Sequence, residues 1–177
     1  MNSYDARASY LRAVGGYNAT FGASITRQVF KEGQGTDKSG NTKGLTAGIA
    51  KVFDFGRMSL DTRTSSGRAT DMKNAKRSNG VSLTYTTQKL PGLTSVTLDY
   101  AQDNYRKIDT AYSTTKKRTD KTSTIRTSYL LGLSSFGPPN GEEAYVQVAA
   151  KYSSTDSNIA NFEKLAGEVS VSISKPF

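Results

Sequence analysis

The sequence predicts an all-β chain: an antiparallel meander of about eight to nine strands in one β domain, residues 1–177. Three observations predict it. Apolar and polar residues alternate with a period of two along nearly every segment, and no long helical stripe with caps interrupts them. Hydrophobic residues make up only 35% of the chain beside 16 Gly and 10 Tyr, a composition suited to strands that are apolar on one face and joined by turns. The links between segments alternate between short and long.

Taken in order, "YDARASYLRAV" puts Tyr4, Ala6, Ala8 and Tyr10 on one side, with Arg12 continuing the row. After "GGYN", the stretch "ATFGASITRQVF" aligns Phe21, Ala23, Ile25 and Val29, interrupted by Arg27. "GLTAGIAKVF" follows, and after "DFG" the stretch "RMSLDTRT" aligns Met58, Leu60 and Thr62. "VSLTYTTQKL" aligns Val81, Leu83 and Tyr85; after a Pro-Gly turn "LTSVTLDYAQ" aligns Thr94, Val96, Leu98 and Tyr100. "TIRTSYLLGL" aligns Ile125, Thr127, Tyr129, Leu131 and Leu133, and "EAYVQVAAKY" aligns Val146, Val148, Ala150 and Tyr152. The final stretch aligns Leu165, Gly167, Val169, Val171, Ile173 and Phe177. Each candidate strand runs for about 8–13 residues.

Short links ("GGYN", "DFG", "KLPG", "SSFGPPNGE") alternate with long polar ones ("KEGQGTDKSGNTK", "SSGRATDMKNAKRSNG", "DNYRKIDTAYSTTKKRTDKT", "SSTDSNIANFEK"). In an up-and-down meander all long links then fall at one end of the sheet. Outer-membrane barrels have this asymmetry and strands of comparable length, so the expected fold is an outer-membrane-type β-barrel or part of one. Tyr4, Tyr10, Tyr17, Tyr85, Tyr100, Tyr129 and Tyr152 then supply an interfacial girdle, or else cross-strand pairs on a half-buried sheet.

The chain has no Cys and no His. Disulfides, thiolate metal sites, cysteine nucleophiles and histidine bases are thereby excluded, and no nucleophile–His–acid set is possible. Asp61, Asp99 and Glu168 alternate against the apolar rows and are expected to face water, a lumen or a cross-strand Arg. The expectation is a non-enzymatic protein with no cofactor and no metal site. No run of about 20 apolar residues spans a bilayer as a helix. "MNSYDARASYLRAVGG" lacks the apolar core of a signal peptide, which counts against export.

Charge carries more. With 24 Lys and Arg against 15 Asp and Glu, the formal charge is +9, which favours polyanionic partners. Arg68, Lys73, Lys76 and Arg77 cluster around one long link. Arg106, Lys107, Lys116, Lys117, Arg118 and Lys121 cluster around another, interleaved with Tyr105 and Tyr112. In a meander both clusters emerge at the same end as one positive rim. That rim suits lipopolysaccharide phosphates or an acidic ligand, or a nucleic-acid backbone whose bases stack on the tyrosines.

The tail "YSSTDSNIANFEKLAGEVSVSISKPF", with Tyr152, Ser157-Asn158-Ile159, Phe162 and the alternating close, resembles the final hairpin of bacterial outer-membrane barrels. It is similar in particular to the barrel domain of surface-lipoprotein assembly modifiers and related porin-like proteins; "GLTAGIAKVFDFGRMSLDTRT" also resembles an outer-membrane hairpin. The resemblance implies an outer-membrane location with transmembrane β-strands, contact with membrane lipid, and a role in transport, assembly or surface binding. It also implies that Val169, Val171, Ile173 and Phe177 form a signal read by barrel-insertion machinery. The alternative expectation is a self-assembling, β-rich structural protein, a viral coat in a virion. Its partners are identical subunits and nucleic acid held on the basic surface.

Overall fold

A computed structural model describes residues 2–29, 39–88, 92–132 and 145–174. The strands are β1 (Asn2–Val14), β2 (Tyr17–Val29), β3 (Gly40–Phe53), β4 (Gly56–Ala69), β5 (Lys76–Thr87), β6 (Leu93–Tyr105), β7 (Thr119–Gly132), β8 (Tyr145–Ser157) and β9 (Lys164–Ser174). They form one antiparallel sheet in the order β1-β2-β3-β4-β5-β6-β7-β8-β9. The all-β antiparallel meander read from the sequence is therefore present, with one strand for each alternating segment. Short 3-10 turns at Met72–Asn74 and Ala160–Phe162 sit in the β4–β5 and β8–β9 links.

The register sorts the two faces. Ile49, Leu60, Leu83, Leu98, Ile125 and Tyr152 stand opposite one another from β3 to β8. The neighbouring row runs through Met58, Tyr85, Val96, Thr127, Ala150 and Val169. Directly opposed residues share a face, so these rows make one apolar band, on the side where Lys51 stands opposite Met58 and Lys43 opposite Ile25. The other side carries Ser, Thr and charged residues, with hydroxyl pairs tying strands together: Thr84 to Thr97 at 3.1 Å, Thr122 to Thr155 at 2.9 Å and Thr124 to Ser153 at 3.0 Å.

Among the described residues no second layer covers the apolar side. Among the described residues only Ala50, Ala75 and Ile159 are buried hydrophobics, while Leu98 and Tyr152 stay about half exposed at 48% and 50%. The chain exposes 12378 Å², against roughly 8400 Å² for a compact monomer of its mass.

The sheet is not closed. β1 pairs only with β2, and β9 only with β8. This overturns the outer-membrane-type β-barrel expected from the link asymmetry and from the resemblance of the tail. The reason is topological. In a nine-stranded meander β1 and β9 run in the same direction, so joining them needs a parallel pair, whereas single-chain bacterial barrels close with even strand numbers. The outer-membrane location and the porin-like, transmembrane-strand description go with the barrel, because an open row of N–H and C=O groups is not tolerated in hydrocarbon. Val169, Val171 and Ile173, read from the sequence as an insertion signal, form the exposed apolar row of the edge strand β9; Phe177 lies outside the described residues. The virion placement is corrected too: a coat requires cations gathered on a concave side, whereas this sheet is open and uncurled and its cation clusters lie at the ends of strands.

At the end opposite the long links, the Phe53–Gly56 hairpin is pinned by several contacts. Phe53 stacks on Phe55 at 5.0 Å, and the Phe55 carbonyl accepts hydrogen bonds from Tyr85 Oη at 2.9 Å and Thr87 Oγ1 at 2.8 Å. Gly56 has φ +148°, and an added Cβ would lie 2.4 Å from the Thr86 carbonyl oxygen. Gly56→Ala is therefore expected to destabilise the sheet by about 1–3 kcal/mol, read as a lower denaturant midpoint with an unchanged slope. A neutral result would show that this hairpin is not held as described.

Candidate polyanion-binding rim

The β4–β5, β6–β7 and β8–β9 links all leave the same end of the sheet, and backbone hydrogen bonds tie them together. Arg106 N–H donates to the Ala75 carbonyl at 2.9 Å, Tyr105 N–H to Arg118 at 3.0 Å, and Asn158 N–H to Thr119 at 3.1 Å. The Asn158 side chain adds two bonds, accepting from Thr119 N–H at 2.7 Å and donating to the Lys117 carbonyl at 2.7 Å. The two cation clusters identified in the sequence are thus brought to one rim.

At the centre of the rim lies a stack. The Arg118 guanidinium sits 3.6 Å from the Phe162 ring centroid and 4.2 Å from that of Tyr105. Its Nε donates to both oxygens of Asp120, at 2.9 and 2.7 Å, and Ser157 Oγ donates to the same carboxylate at 2.8 Å. Asp120 is only 5% exposed. A planar, weakly hydrated guanidinium tolerates this place between two rings because its donors are also satisfied by a carboxylate. Burial pulls the Arg118 pKa down, but the Asp120 hydrogen bonds and the Tyr105 and Asp120 charges outweigh it and leave the pKa raised. Tyr112 closes the group edge-on against Phe162 at 4.7 Å.

The rim cations consequently divide into two sets. Lys73 pairs with Asp71 at 3.5 Å, Lys76 pairs with Asp103, Arg118 pairs with Asp120, and Arg106 donates to Ser66 Oγ. Arg68, Arg77, Lys107, Lys116, Lys117 and Lys121 form no ion pair with a carboxylate among the described residues. Asp71 is held below its ordinary value, chiefly by the Lys73 backbone N–H, with the Lys73 and Lys107 charges adding to the shift. Lys107 of one link and Lys73 of another therefore share one electrostatic neighbourhood. Of the two tyrosines proposed for stacking, Tyr105 has its ring covered by Arg118, while Tyr112 remains half exposed. Sequence reasoning missed Asp120 and the part Phe162 plays; the signal present was Arg118 and Asp120 two apart in an alternating segment.

The polar face holds a second constellation. Asp99, whose side chain is 7% exposed, pairs with Arg63 at 3.5 Å and with Arg126. Glu168 stands opposite Lys151 in register. The carboxylate at Asp99 thus meets cross-strand arginines, as the alternation indicated. No group of three or more Asp or Glu side chains among the described residues converges to hold a metal ion. No protein-family model, curated protein or solved structure matches the chain.

Two outcomes follow for the stack. Arg118→Lys keeps the charge but loses the fork and the planar surface, so a loss of about 1–3 kcal/mol is expected, with increased amide exchange at residues 105–118 and 157–162. Burial raises the Tyr105 phenol above its ordinary value of 10.0, opposed by the Lys76 and Arg118 charges. The folded state therefore holds that proton more tightly than the unfolded chain. Stability is unaffected below about pH 10 and falls as pH rises from there through the folded-state pKa. A tyrosinate absorbance titration should contain one late phenol that Tyr105→Phe removes.

Proposed function

We propose that the chain is a non-enzymatic, self-associating β-sheet protein that holds a nucleic-acid phosphate backbone on its cation-rich rim. The observation that carries this reading is the open single layer: an apolar side spanning the sheet with no cover, in a chain exposing about 4000 Å² beyond a compact monomer of its mass. A sheet apolar on one side buries that side against another layer. Identical copies supply such a layer, and an apolar face left open to this extent marks an interaction surface.

The rim supports the polyanion half of the reading. Lys107, Lys116 and Lys117 lie on a link that hydrogen bonds fix to its neighbours, and Arg68, Arg77 and Lys121 lie at the ends of the flanking strands, so the spacing of the six is set before a ligand arrives. Tyr112, half exposed beside them, offers a ring on which a base can stack.

The test has two readouts. Sedimentation in detergent-free buffer is expected to give oligomers, with an unfolding midpoint that rises with protein concentration. Fluorescence anisotropy with oligo-dT should give a log Kd against log salt slope of magnitude about 4 if the six unpaired cations each contact a phosphate. The triple variant Lys107→Glu, Lys116→Glu, Lys117→Glu should cut that slope by about half. Salt-independent binding, or a triple variant that binds as tightly as the parent, would sink the rim; a strict monomer would sink the assembly.

A further inference from the structure

The open edges carry an inference that rests on the self-association proposed above and adds to its face-to-face cover a second, edge-to-edge interface between copies. β1 and β9 both end the sheet, but they differ in kind. β1 carries Asp5, Arg7 and Arg12 along its length and places Ala6 and Ala8 at the middle of its apolar row. Charged side chains of this sort guard an edge against pairing. β9 has one charge, Glu168, between Leu165 and Ser174. Its apolar row is the most exposed of the sheet: Leu165, Val169, Val171 and Ile173 stand between 66% and 76% exposed.

Strand direction then selects the symmetry. Because β1 and β9 run the same way, head-to-tail pairing of β9 with β1 of a second copy joins parallel strands. Pairing β9 with β9 of the second copy about a two-fold axis normal to the sheet joins antiparallel strands, which are more stable per residue, and keeps the apolar side continuous across the junction. A two-fold interface is also self-complementary and closed.

We infer that two copies pair antiparallel along β9, with the two-fold axis at Val169. This register uses all of Lys164–Ser174. On the apolar side it sets Val169 against Val169 of the second copy, Gly167 against Val171, and Leu165 against Ile173. On the polar side it sets Glu168 against Ser170 and Ala166 against Ser172. Within its own chain Glu168 already faces Lys151. Centring the axis on Glu168 instead would oppose two like charges, which is destabilising. Centring it on Ser170 would leave Leu165 without a partner inside the strand.

The chain has no cysteine, so single thiols report this register directly. Val169→Cys is expected to form a disulfide-linked dimer under mild oxidation. Gly167→Cys and Val171→Cys should each fail to cross-link alone and should cross-link when mixed; an added Cβ at Gly167 meets nothing within 4 Å. Val169→Lys places two ammonium groups together at the axis, so the dimer dissociation constant should rise at least about tenfold, with the circular dichroism of the sheet unchanged. Oligomers that persist in Val169→Lys while Val169→Cys does not cross-link would overturn this interface and leave the assembly reading standing. A chain that is monomeric throughout, or that associates only with detergent or lipid vesicles, would overturn both.

Discussion

The rest of the structure depends on one constraint: a single layer of backbone hydrogen bonds must organise the chain without a core behind it. Every strand between β2 and β8 has both backbone sides satisfied by its neighbours, so the sheet is complete as a hydrogen-bonded object except at its two outer strands. It is incomplete as a hydrophobic object. Leu60, Leu83, Leu98 and Ile125 stand beside their cross-strand neighbours and stay exposed, with no described residue layered over them. Cross-strand pairs contribute only about 0.2–1 kcal/mol each, and most of the gain from removing such side chains from water waits for a second surface.

The same constraint explains the build of the rim. With no core beneath them, the links at that end make a small packed unit of their own. Ile159 is buried, Asn158 bridges two links, and Arg118 lies between Phe162 and Tyr105 with Asp120 beside it. Placing a cation in that unit spends one of the rim's charges on structure and leaves the neighbouring lysines solvated. Lysine ammonium groups are strongly hydrated point charges on flexible stems, and they suit a phosphate backbone of irregular path better than an internal stack does.

Much of this was legible in the sequence, for reasons that are local. A period of two in "VSLTYTT" or "TSVTLDY" reports a strand with two unlike faces whatever the strand pairs with. The alternation of short and long links reports a meander, because consecutive antiparallel strands need only a turn between them. Closure was not legible, because no residue within β1 or β9 encodes whether the other end of the sheet comes back to it. The resemblance of "GEVSVSISKPF" to the closing strand of a barrel rested on one edge alone, and that edge meets no partner here. The only local hint was the odd number of alternating segments, which sets the first and last strands parallel. At the rim, the positive charge was visible in composition, but the division between locked and unpaired cations depends also on Asp103 and Phe162 arriving from elsewhere in the chain.

The polar face shows why the apolar side is the one that seeks a partner. Gly80 stands opposite Arg63, and Gly48 opposite Asp61. A Cβ at Gly80 would lie 3.0 Å from Arg63 Nε, and one at Gly48 would lie 2.1 Å from Asp61 Oδ1. These missing side chains let a guanidinium and a carboxylate lie down along the sheet instead of projecting from it. Arg63 thereby reaches Asp99, two strands away, and Arg126 reaches it from the other side. Asp99, Arg63 and Arg126 are engaged with one another, and covering them with another layer would strip water from ions already paired, at a cost their attraction does not reliably repay. The apolar rows carry no such penalty. One face is therefore partly closed by its own side chains, while the other presents its apolar rows uncovered among the described residues.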